Sequence, residues 1–201
     1  MKLANLLAPL AAIAPAIVAG QCSNRGFVES LRSDPSVPYN PAYDDSRIKD
    51  FPDKRLLCYS AQYFLTFILG DFEGMHDLQT EEFHITDIPL SIVRADREQW
   101  LQVNSGFSSL MTDVKVQAIS IDGSSEPGKF SVMENVVWFT LAVDPPESAK
   151  PGLPPGIKKG DTSAMIMMSV IWWNAEGKVT RELEYGKLIW PDFDIDNFEK
   201  W

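Results

Sequence analysis

The chain has 201 residues, 45% of them hydrophobic, with 18 basic and 28 acidic side chains and a net charge of -10. An acidic chain of this kind is a poor partner for nucleic acid or for an anionic membrane surface. The two cysteines and two histidines form no cluster at zinc-ligand spacing, and neither a phosphate-cradling glycine loop nor a Gly-X-Ser-X-Gly turn occurs. Kinase, dehydrogenase and hydrolase readings therefore have no support, and no metal or cofactor is expected.

Met1 and Lys2 precede an apolar run from Leu3 to Val18 that ends in the small residues Ala19 and Gly20. A positive start, an apolar middle and small residues at the exit describe a secretory signal over residues 1–20, so the product is expected to be extracellular. Pro9 and Pro15 interrupt the run, which is shorter than the ~20 apolar residues of a membrane span. Residues 21–52 carry Pro35, Pro38, Pro41 and Pro52 and read as an extended arm. In an oxidising compartment Cys22 and Cys58 are expected to pair, tying the arm to the first long helix and contributing about 3–4 kcal/mol.

Asp53 can cap a helix over Arg55–Leu69, with Leu57, Ala61, Phe64 and Ile68 on one face and Tyr59, Tyr63 and Phe67 beside it. Gly70 stops it, and Asp71 opens a short helix to Leu78. Phe83–Ile88 reads as a strand ended by Pro89. Asp96 with Gln99 forms a capping box for a helix to about Met111, with Trp100, Val103, Phe107 and Leu110 on one face. Strands follow over Val114–Asp122, Lys129–Val143, Ala164–Trp173 and Lys178–Trp190, the last two joined by a hairpin turn at Asn174–Gly177. Ala164–Trp173 is apolar on both faces, so both are expected to be covered. The proline-rich segment 144–161 is a lid or a mobile loop. The order predicts a single α+β domain over 53–190, with three N-terminal helices on one face of a curved antiparallel sheet, and an acidic-aromatic tail over 191–201.

Tyr63-Phe64, Gly70-Asp71-Phe72-Glu73, Phe83-His84 and Asn174-Ala175-Glu176-Gly177-Lys178-Val179 fall in an order that resembles the nuclear-transport-factor-2-like superfamily. Within it the likeness is to the SnoaL-like branch, which includes many small fungal proteins. The resemblance implies a cone with a pocket at its wide end, and an outer sheet face that often makes a dimer. The stretch from Leu188 to Phe198 is similar to the tail of fungal scytalone dehydratases, which folds over the pocket. In those enzymes a Tyr-Asp pair and two histidines eliminate water from a bicyclic polyketide. The corresponding positions here are Phe67 and Ile68, and on or near Gln117 and Glu134, so that catalytic set does not carry over.

His84, with Asp87 close in sequence, is a candidate general base, because a neighbouring carboxylate fixes the imidazole tautomer. His76 is a weaker one. Glu134 stands in an apolar strand between Val132 and Val136. Turned inward it would be a desolvated acid–base group, and turned outward a solvated or dimer-contact residue. Asp71 is most simply a cap. Glu182 and Glu184 share one face of the last strand and would perturb each other if buried, although an exposed edge is the simpler reading. The candidate pocket residues are Tyr59, Tyr63, Trp100, Phe107, Gln117, Trp138, Met165 and Trp172. The expected function is a secreted pocket protein that binds a small hydrophobic metabolite, or transforms it without a cofactor by lyase or isomerase chemistry. A non-catalytic carrier or effector acting through protein contact is the alternative, and a homodimer is compatible with either.

Overall fold

The computed structural model describes residues 43–45, 47–48, 53–147 and 156–189. The expected signal, most of the arm, Cys22, the middle of the 144–161 segment and the tail lie outside them. Helix α1 spans Lys54–Leu69; the Asp53 side chain accepts from the Arg55 N–H, and Gly70 ends it at φ 66°. Such a left-handed residue favours glycine, and it turns the chain so that the Asp71 N–H reaches the Thr66 carbonyl at 2.8 Å. Helix α2, Phe72–Asp77, is capped by Asp71, which accepts from Gly74. Helix α3, Arg97–Ser108, begins with the Asp96–Gln99 capping box, both halves of which are formed.

The strands are β1 (Tyr43–Asp44), β2 (Gln79–Asp87), β3 (Ile92–Asp96), β4 (Met111–Gly123), β5 (Phe130–Leu141), β6 (Thr162–Trp173) and β7 (Val179–Ile189). They form one sheet in the order β1-β4-β5-β6-β7-β2-β3. The three helices pack against one side of it around Leu56, Tyr63, Phe83, Ile85, Met133 and Ile171. The base of the proline-rich segment is closed by bonds from Leu141 N–H to the Asp161 carbonyl and from Gly160 N–H to the Leu141 carbonyl.

The sheet corrects the all-antiparallel expectation. The central ladder β4-β5-β6-β7 is antiparallel, but β1 runs parallel to β4 and β2 runs parallel to β7. The reason is connectivity: α3 and four strands separate β2 from β7, a crossover long enough to bring two strands together in the same direction. The segment after Pro89, to which the sequence reading assigns no element, contains β3, which folds back on β2 with Ile85 opposite Ala95. The third helix ends at Ser108, because Met111 already pairs with Leu141 in the β4–β5 ladder. The outward face of β6 is less covered than expected, with Met168 38% exposed.

Candidate functional site

Alternation decides which side chains meet the helices. On β5 the inward set is Met133, Asn135, Val137 and Phe139, and on β6 it is Met165, Met167, Ser169, Ile171 and Trp173. Helix α1 faces them with Tyr63, Phe64 and Phe67, and α3 with Trp100, Val103, Asn104 and Phe107. Between the helices and the sheet lies a chamber with about 570 Å³ of atom-free space, open solvent at its mouth included. Its wall is largely aromatic and apolar, with Phe67 stacked on Phe107 at 6.5 Å between ring centres.

The polar end of the chamber comes from β2 and β7. Glu182 and Glu184 both point inward from β7, and the parallel register sets Asp87 of β2 opposite Glu184. The Tyr63 hydroxyl donates to Glu182 Oε2 at 2.8 Å, and itself accepts from Gln79 Nε2 at 2.9 Å. Ser169 Oγ donates to Glu184 Oε1 at 3.1 Å, and the Leu90 N–H donates to Asp87 Oδ1 at 2.8 Å. The Asp87 and Glu184 carboxyls are bonded to each other. Burial pushes Glu182 up to about 7, against the bond from Tyr63. Burial and the like charges of Glu182 and Asp87 push Glu184 well above the carboxylate range, so it is the protonated partner that donates to Asp87. Burial raises Asp87 too, and burial with the Glu182 charge keeps Tyr63 a neutral phenol. One more polar group faces this space: Asn135 is wholly buried, and neither its amide nitrogen nor its amide oxygen has a hydrogen-bond partner.

No group of His, Cys, Asp and Glu among the described residues has metal-holding geometry. The arrangement is a set of proton donors and acceptors: a carboxyl that titrates near neutrality, a protonated carboxyl two residues along the same strand, and a phenol between the first carboxyl and a glutamine.

Five of the expected site residues, Tyr63, Asp87, Trp100, Phe107 and Met165, line this chamber. Others lie elsewhere, for reasons of strand alternation. Glu134 is on the outward face of β5, where it accepts from Ser120 Oγ at 2.6 Å, because Met133 and Asn135 occupy the inward face. Gln117 faces outward from β4 toward Asp44, since Val116 and Ala118 fill the core side. Trp138 shares the outward face with Glu134. Trp172 also faces out, against Phe130 at 5.6 Å and under the Arg181 guanidinium at 4.4 Å, while its neighbour Trp173 turns in. Tyr59 packs on Trp173 at 5.2 Å and against Gly177, away from the chamber. His84 alternates with the buried Phe83 and Ile85, so it leaves the face that carries Asp87 and meets the Glu82 carbonyl at 3.4 Å. His76 pairs with Glu98 at 2.7 Å outside the chamber. Glu182 and Glu184 correct the exposed-edge reading: β2 covers that edge. Their two-residue spacing was the available signal, and for Asn135 it was a polar residue in register with Met133 and Phe139.

No family model and no curated protein matches the sequence. Solved structures do match in three dimensions. A SnoaL-like polyketide cyclase candidate from Shewanella putrefaciens superposes with a TM-score of 0.53 at 10% identity, over 68% of this chain and 91% of that one. IdmH, a polyketide cyclase candidate from Streptomyces antibioticus, gives 0.51 at 16% identity, over 65% and 91%. A third SnoaL-like structure, from Shewanella denitrificans, gives 0.52 at 8% identity, over 65% and 89%. Identities this low speak for architecture alone: the helices and the mixed sheet described above have the nuclear-transport-factor-2-like fold that these structures show.

Proposed function

We propose that the protein is a secreted, cofactor-free acid–base catalyst that isomerises or dehydrates a hydrophobic metabolite held in the chamber. The observation that carries the reading is Glu182: a carboxyl titrating near neutrality, fixed by Tyr63, at the polar end of an aromatic cavity. As carboxylate, Glu182 accepts a proton from a carbon of the bound molecule. For an isomerisation it returns that proton to a second carbon. For an elimination the carbon–oxygen bond breaks, the proton of Glu184 goes to the departing hydroxyl, and water leaves. Tyr63, oriented by Gln79, holds the Glu182 carboxyl in place in both cases. The polyketide cyclase descriptions of the structural neighbours support a hydrophobic, oxygenated substrate.

The apolar leader supports secretion. Cys58 is buried in α1 and is not a free thiol, which supports pairing with Cys22. The outward face of β6, with Met168 exposed on the same face as the half-buried Trp172, supports a homodimer. Native mass spectrometry of protein recovered from the culture medium of its host tests these points together. A chain lacking about 20 residues, two mass units lighter than its fully reduced form and carrying a dissociable ligand, is the expected result. The ligand then becomes the substrate for assay, and Glu182→Gln should lower kcat by roughly 100-fold or more. A ligand-free protein, or a Glu182→Gln variant as active as the parent, would replace this reading with a non-catalytic carrier or effector.

A further inference from the structure

The carboxyls at the end of the chamber share an unusual property: among the described residues, nothing basic lines the chamber with them. Asp87, Glu182 and Glu184 converge there, and none of the described residues lining the chamber is Lys, Arg or His. The groups facing them are the Tyr63 phenol from α1, Gln79 from β2, Ser169 from β6, Asn135 from β5 and Asn104 from α3, all uncharged. Arg181, on the same strand, alternates to the outer face and rests on Trp172. Buried acids are ordinarily paired with a cation or a metal, because an uncompensated charge is costly away from water.

A second observation points the same way. Asn135 is wholly buried with both ends of its amide unpaired, in a chamber whose other polar side chains each have a hydrogen-bond partner. An unmade pair of hydrogen bonds is destabilising by itself, so the group is held ready for something that enters. Asn135 lies in register with Met167 and Gly186, one inward step along the strands from Glu184. Two strand spacings, about 10 Å between backbones, separate it from β7. The helix side of the chamber is lined by the rings of Phe64, Phe67, Trp100 and Phe107, and the face of such a ring attracts a cation as well as an apolar body.

We infer that the chamber takes an apolar-bodied amine, its ammonium seated on Asp87 and Glu184 and a hydroxyl or carbonyl oxygen of the same molecule on Asn135. The inference rests on the chamber being the ligand site and adds the ligand's charge. It also divides the labour: Asp87 and Glu184 hold the cation, Glu182 with Tyr63 remains the proton acceptor, and the positive nitrogen acidifies the neighbouring carbon–hydrogen bond. Seating the cation requires Glu184 to give up its proton, so binding releases protons to the buffer; Glu184 then has no proton left for a departing hydroxyl, and the inference selects the isomerisation route over the elimination, with Glu182 carrying the proton.

Titration calorimetry of the full protein tests this with two probes of equal shape, 1-naphthylmethylamine and 1-naphthylmethanol, at pH 6.5 in two buffers of different ionisation enthalpy. The amine is expected to bind roughly tenfold or more tightly than the alcohol, with release of about one proton per amine bound. In Glu184→Gln the two affinities should converge to within about twofold, through loss on the amine side. The wild-type comparison needs no variant, so the test survives should Glu184→Gln not fold. Alcohol binding as tightly as amine, or amine binding without proton release, overturns the charge inference and leaves the chamber as a site for neutral ligands. Failure of both probes to bind overturns the chamber reading and this inference with it.

Discussion

Glu182 makes acidity a structural property of this protein. Its carboxyl is raised from an ordinary value of 4.5 to about 7 by burial, and Glu184 and Asp87 are raised as well. A carboxyl with a raised pKa binds its proton more tightly in the folded chain than in the unfolded one. Its stabilising contribution is complete below about pH 4.5 and is lost as pH climbs through about 7, a change on the order of 3 kcal/mol for Glu182 alone. The thermal midpoint should therefore fall by roughly 6–12 °C between pH 5 and pH 8. Glu182→Gln should flatten much of that slope and be the more stable form at pH 8; calorimetric scans across that range decide it. Identical slopes for parent and variant would mean that Glu182 is solvated. This residue pair also shows where sequence reading stops. The spacing of Glu182 and Glu184 marks a shared face, but whether that face is covered depends on β2, which is almost a hundred residues earlier in the chain. Glu134 shows the same ambiguity from the other side: alternation along β5 was readable, and which of its two faces turns to the helices was not.

Among the elements, those with local punctuation were legible. Asp53, Gly70, Asp71, the Asp96–Gln99 box and the Asn174–Gly177 turn each satisfy backbone groups within a few residues, and each stands where the sequence puts it. β3 lacked such a mark; its five residues follow Pro89 and include Arg94 and Asp96, so neither length nor periodicity announced a strand. Asp53 does more than cap. Its Oδ2 accepts from Ser125 N–H at 2.9 Å and from Ser125 Oγ at 2.6 Å, pinning the β4–β5 connection to the start of α1. Burial by itself would raise this carboxyl, but the bonds from Ser125 and Arg55 outweigh it and hold Asp53 below its usual range. Asp53→Ala removes both the cap and the latch and should cost about 1–2 kcal/mol in chemical unfolding, while Asp53→Asn recovers most of it. Equal stability of Asp53→Ala and the parent would show that the latch is idle.

On the scale of the whole molecule the helix-then-strand order was enough to announce an α+β domain with helices on one face of a sheet, because helices with one apolar face and long alternating strands have few other ways to bury that surface. The parallel pairings were not announced, since register between segments far apart in sequence leaves no local trace. They matter because β7 is not at an edge: it sits between β6 and β2, with hydrogen bonds to both. A chain ending after Asn174 would leave two edges unpaired in the middle of the sheet and should lose its near-ultraviolet circular dichroism. A native-like spectrum from that truncation would show that the β2–β3 unit docks without β7.

The same placement sets a schedule for biosynthesis. Tyr63, Gln79 and Asp87 leave the ribosome early, yet the carboxyls they answer to arrive on the last described strand. Until β7 slots into the gap, the hairpin of β2 and β3 and the ladder of β4 to β6 are separate pieces with open, adhesive sides. A folding helper that shields sheet edges would have its work concentrated in that interval, and the acid pocket comes into being in a single closing step.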